Sequence, residues 1–134
     1  MKRLVLLALA AAFLLPLTAM SADLTGTWQA DNLCISGATL PGNEEPEIST
    51  FSIEQEGIYF LVTNITPSPG EKCGGIIIGK EISMTCPPSI NEVTGEPEGT
   101  GTLFFGELKG PNVIEGINHV PDDGKTCSAI AVRL

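Results

Sequence analysis

Residues 73–86 read CGGIIIGKEISMTC, and no other segment restricts the fold so tightly. Gly79 and Lys80 form a two-residue turn with glycine first, as a type II′ hairpin wants, so paired positions sum to 159. Cys73 and Cys86 also sum to 159. Counted from the hydrogen-bonded closing pair Ile78 with Glu81, the two cysteines fall on a non-hydrogen-bonded pair, whose Cα spacing of ~4.5 Å is at the short end of the disulfide range. The spacing therefore predicts a hairpin stapled at its open end.

The same vocabulary recurs along the chain. From Leu24 onward no amphipathic helix is found; β-branched and aromatic runs return every dozen or so residues, separated by Gly, Pro, Asn and Glu. Eight strands are expected, over 24–33, 48–55, 58–66, 73–78, 81–86, 100–108, 113–119 and 126–134. A turn at Glu56 and Gly57 would set Ile53 opposite Phe60 and Phe51 opposite Val62, on one apolar face. Gly110 and Pro111 are expected to turn a third hairpin.

The first 21 residues follow another logic. Lys2 and Arg3 lead into an apolar run over 4–17, and Ala19 and Ser21 supply small residues at cleavage spacing, the pattern of a secretory signal peptide. The domain is then 22–134. These 113 residues keep all 16 acidic residues but five basic ones, so the formal charge moves from −9 to −11. Such a chain repels nucleic acid, and it has no second apolar stretch to span a membrane. The signal carries no cysteine at its cleavage point, which argues against a lipid anchor. A periplasmic or secreted destination follows, where four widely spaced cysteines pair rather than bind zinc.

An even number of antiparallel strands can close into an up-and-down barrel, removing the unpaired edges of an open sheet. Closure makes the first and last strands neighbours. Cys34 ends one and Cys127 begins the other, so they meet as the second disulfide. The expected fold is all-β: an eight-stranded antiparallel barrel with two disulfides. Chain entropy makes the short bridge worth ~3 kcal/mol and the long one nearly ~5 kcal/mol.

The connections sort into two ends: tight turns at a base, and four longer loops at a mouth that also holds all four cysteines. The mouth carries Glu44, Glu45, Glu47, Glu71, Glu92, Glu96, Glu98, Asp122 and Asp123 against Lys72 and Lys125, a net −7. Loops are wet and so collect charge; equally, an acidic rim on rigid walls suits binding of a cationic partner.

At the base, Gly26, Thr27 and Trp28 form a G-x-W triplet, with Arg133 near the chain end. Here the sequence resembles the calycin superfamily of avidin, lipocalin and fatty-acid-binding barrels. The resemblance implies a structural role for Gly26, Trp28 and Arg133, with the guanidinium covering the strand-one indole. It carries over no family ligand. Trp28 is the one tryptophan, against the several of a biotin site, and Arg133 is the one arginine after position 21, against the buried arginines of fatty-acid carriers. The chain also stops within its last strand, where lipocalins continue into a helix. Bacterial metalloprotease inhibitors share the opening but use a longer N-terminal segment than Ala22 to Thr25.

No catalytic residues, metal ligands or cofactor are assigned. His119 with Asp122 and Asp123 reads as a strand end and a D-D-G-K turn, and Ser83, Ser89 and Ser128 sit in no nucleophile elbow. The Asn64–Thr66 sequon precedes Pro67 in a chain with a bacterial-type signal and is set aside. Two binding readings remain. Phe51, Ile53, Phe60, Val62, Ile77, Ile82 and Met84 line an interior that either takes one small apolar molecule or is filled by these side chains. Alternatively Glu44, Glu45, Glu47, Glu92, Glu96 and Glu98 capture a cationic extracytoplasmic protein, as an inhibitor or decoy of a hydrolase would.

Overall fold

The structure, a computed structural model, describes residues 21–36, 46–68, 70–98, 101–121 and 124–134. Its strands are β1 (Gly26–Ser36), β2 (Glu47–Glu56), β3 (Tyr59–Thr66), β4 (Cys73–Ile78), β5 (Glu81–Cys86), β6 (Ser89–Ile90), β7 (Pro97–Glu98), β8 (Thr102–Gly110), β9 (Val113–Val120) and β10 (Lys125–Arg133). Eight of them close a barrel in the order β1-β10-β9-β8-β5-β4-β3-β2, every neighbour antiparallel. β6 and β7 pair only with each other, as a hairpin in the connection from β5 to β8, where the sequence predicts loop alone.

Closure rests on β1 against β10, which pair from Trp28 with Arg133 to Ser36 with Lys125 and bring Cys34 opposite Cys127. Both expected disulfides are present, Cys34–Cys127 and Cys73–Cys86, with Cα separations of 3.9 and 4.2 Å. Both sit at the end of the barrel that carries the longer connections.

The β4–β5 hairpin has the expected register, Ile78 with Glu81 and Ile77 with Ile82, and Gly79 takes φ +63° at the first turn position. The β2–β3 hairpin corrects the expectation. Its pairs are Glu56 with Tyr59, Gln55 with Phe60 and Ile53 with Val62, a shift of two residues. The cause is the same glycine rule: Gly57, at φ +63°, occupies the first turn position with Ile58 second, whereas the expectation had placed it second. A shift of two keeps every side chain on its face. Further along, Asn64 at φ +54° and Ile65 together oppose Phe51, a bulge near the mouth end of β3. The third turn also moves: Gly110 pairs with Val113, leaving Pro111 and Asn112 as the turn, and a second bulge falls at Lys109. Proline's fixed φ suits the first turn position.

Inside, ring size is matched to missing side chains. The Phe60 ring lies over Gly75, and the Phe104 ring over the facing pair Gly106 and Gly116. A Cβ at Gly116 would stand 2.5 Å from both the Phe104 ring and the Phe105 carbonyl oxygen, so this wall admits no side chain. Phe104 therefore points inward and Phe105 outward, where it stays exposed.

The base is shut by residues ahead of β1. Leu24 and Trp28 are fully buried, and Trp28 Nε1 donates to the Leu24 carbonyl at 2.9 Å. Gln55 holds the strap: its Oε1 accepts from Leu24 N at 2.7 Å and its Nε2 donates to Ala22 O at 2.9 Å. Arg133 lies 4.8 Å from the centre of the Trp28 ring and donates to the carbonyls of Thr25, Asp23 and Pro111. Its aliphatic stem packs on Gly26, which at φ +142° is a position that excludes most side chains.

Candidate functional site

Above this floor lies a cavity of about 160 Å³. Each of the eight barrel strands contributes to its wall, as the inward residues of a closed barrel must. Of the seven residues expected to line the interior, Phe51, Ile53, Phe60, Val62, Ile82 and Met84 surround it. Ile77 does not: it is fully buried in the core and stops short of the void. The wall also includes Ala30, Phe104, Ile114, Ala129 and Ala131, which are not among the seven expected. The alanines create the space, since an inward methyl leaves room that a leucine would fill.

The mouth end of the cavity is polar. Asn32, Ser49, Thr102 and Asn118 face it beside Cys73 and Cys86. Asn32 Nδ2 donates to the Glu47 carbonyl at 3.2 Å and to Ser49 Oγ at 3.4 Å, and Asn32 Oδ1 accepts from Asn118 Nδ2 at 2.9 Å. Strand parity could have found these residues. Asn32 shares the inward face of Trp28 and Cys34, and Asn118 that of Gly116.

Among the described residues no ionisable side chain lines the cavity. The groups whose titration is shifted lie elsewhere. Asp23 is held below its usual value, chiefly by the backbone N–H of Thr25, which donates to its carboxylate at 2.9 Å. On the outer wall the hydrogen bond between Lys109 and Glu107, at 2.5 Å, lowers the carboxyl and raises the ammonium.

The acidic rim is only partly drawn together. Glu47 is ion-paired with Lys125 at 2.7 Å. Glu92, Glu96 and Glu98 are exposed on the β6–β7 hairpin, whose Asn91 accepts from the N–H groups of Val93 and Thr94 and leaves Val93 94% exposed at the tip. Glu44, Glu45, Asp122 and Asp123 lie outside the described residues. His119 shares a 3.0 Å hydrogen bond with Thr126 Oγ1, and among the described residues no three His, Cys, Asp or Glu side chains gather as metal ligands would.

Comparison with known proteins gave no match to a family model, to a curated protein or to a solved structure. The functional reading therefore rests on the geometry.

Proposed function

We propose that this chain is a non-enzymatic, extracytoplasmic binding protein that takes one small apolar molecule into the barrel through its loop-bearing end. The observation that carries the reading is the cavity: well-packed interiors hold few voids larger than a water molecule, and this one is ringed by apolar side chains from all eight barrel strands. Its volume matches the ~150 Å³ apolar cavity that accommodates benzene and falls below the ~300 Å³ at which drug-sized sites begin. The ligand is correspondingly small. Two disulfides and the signal-like first 21 residues support an oxidising, exported location. The up-and-down strand order and the Trp28–Arg133 stack support a calycin-like barrel.

Native mass spectrometry of protein purified from its own host tests the reading. A resolved mass increment that is lost on denaturation is expected. Protein without an increment, together with a crystal structure in which side chains fill the interior, would end it.

A second reading places a cationic protein at the rim, and the exposed β6–β7 hairpin with Glu92, Glu96 and Glu98 favours it. Substituting these with Gln, together with Glu44, Glu45 and Glu47, should abolish partner capture and its salt dependence. Unchanged capture would rule the rim out.

A further inference from the structure

The polar end of the cavity identifies the chemistry of what it holds. Resting on the interior-binding reading above, we infer that the ligand is a neutral molecule of single-ring size with one hydroxyl-type head group, which both donates and accepts at Asn118, Thr102 and Ser49.

The orientation of the two amides follows from a fixed point. The Glu47 carbonyl can only accept, so the group of Asn32 facing it is Nδ2, whose two protons go to Glu47 O and Ser49 Oγ. Asn32 therefore turns Oδ1 toward Asn118, and Asn118 must answer with Nδ2. This leaves Asn118 with its carbonyl oxygen and one N–H uncommitted among the described residues, at the wall of the void. The hydroxyl protons of Ser49 and Thr102 are likewise uncommitted among them. Three polar side chains, of which Asn118 is held in orientation by Asn32, thus offer both donors and acceptors to the same small space. A molecule without any polar atom would leave them unanswered, whereas the single hydroxyl of an otherwise apolar ring can give one hydrogen bond and take another.

Charge is excluded by the same wall. A carboxylate or ammonium would enter a cavity with no counter-ion among the described residues, and an ion buried without a partner is strongly disfavoured. The excess of acidic residues disfavours anions further.

The test uses four probes of one ring each: benzene, phenol, benzoate and benzylammonium, titrated into the full-length exported protein by calorimetry and by methyl and side-chain amide NMR. Phenol is expected to bind about tenfold more tightly than benzene, with the Asn118 amide resonances shifting, and both ions about a hundredfold more weakly than phenol. In Asn118→Leu or Thr102→Val the phenol preference should shrink to about twofold or less while benzene still binds. Thr102→Val is close to isosteric and leaves the Asn32–Asn118 pair intact, so it remains informative if the first variant folds poorly. Equal binding of phenol and benzene, or a preference that survives both substitutions, overturns the head-group assignment alone. Either ion binding as well as phenol overturns neutrality. If no probe binds, the interior-binding reading falls and takes this inference with it.

Discussion

Replacing Arg133 with Met keeps an unbranched stem over Gly26 and Trp28 and removes everything the guanidinium does. Three hydrogen bonds are lost, to Thr25 O at 2.8 Å, Asp23 O at 2.5 Å and Pro111 O at 3.0 Å, and with them the 4.8 Å stack on Trp28. Hydrogen bonds from a charged donor contribute about 1.5–3 kcal/mol each when buried, but this side chain is only half-buried, so about 1 kcal/mol apiece is the fitting scale. The stack adds about 0.5–1 kcal/mol. Because the three carbonyls regain water in the variant and the terms share one side chain, the net loss should be about 2–3 kcal/mol. For a domain of this size that lowers Tm by about 8–15 °C. Trp28, the one tryptophan and fully buried, reports directly: urea unfolding with the disulfides intact should red-shift its emission at a lower midpoint in the variant. Arg133→Lys, which keeps the charge without the fork, should recover less than half of the loss. A Met variant within about 0.5 kcal/mol of the parent would show that the base is held by Leu24 and Gln55, and the clamp argument would be refuted.

Three further outcomes are expected. Gly116→Ala should destabilise the barrel by about 1–3 kcal/mol in urea, because its Cβ has no space beside the Phe104 ring, whereas Gly74→Ala, which faces open space, should cost well under 1 kcal/mol. Removing Cys34–Cys127, which closes a separation of 93 residues, should lower the denaturation midpoint more than removing Cys73–Cys86, at 13 residues. In a carbon-detected pH titration Asp23 should ionise below the ordinary aspartate value; since its folded pKa is depressed, its stabilising contribution is complete above the unfolded value and disappears as pH falls through the folded one, and Asp23→Asn should remove that part of the acid dependence.

Barrel closure and both disulfides were legible because hairpin arithmetic is local and parity is unforgiving. A turn residue and a cysteine pair fix a register, and two strand-end cysteines fix which strands must touch. Legibility failed where two rules competed at one position. At Glu56–Gly57–Ile58 both two-residue turns are writable, and only the positive φ of Gly57 at the first turn position decides between them. In the apolar runs Ile76–Ile78 and Phe104–Phe105, hydropathy gives no alternation, and the inward choice is made by space: Phe104 turns in because Gly106 and Gly116 leave room, and Ile77 because its neighbours continue the pleat outward. The candidate site was half visible. Its apolar residues follow from parity on β2, β3 and β5, but Asn32 and Asn118 read as ordinary turn-prone residues until closure sets them 2.9 Å apart across β10. The floor was missed because nothing in residues 21–25 announces that they fold back onto Gln55.

The central claim is that the inside of this barrel, and not its outer wall, receives a small molecule. Methyl NMR of isoleucine-labelled protein titrated with phenol separates the two directly, since Ile53, Ile65, Ile82 and Ile114 face the cavity while Ile117 and Ile130 lie exposed outside. Saturable shifts confined to the four cavity-facing isoleucines are predicted. Shifts centred on Ile117 and Ile130, with the inner methyls unmoved, would contradict the account.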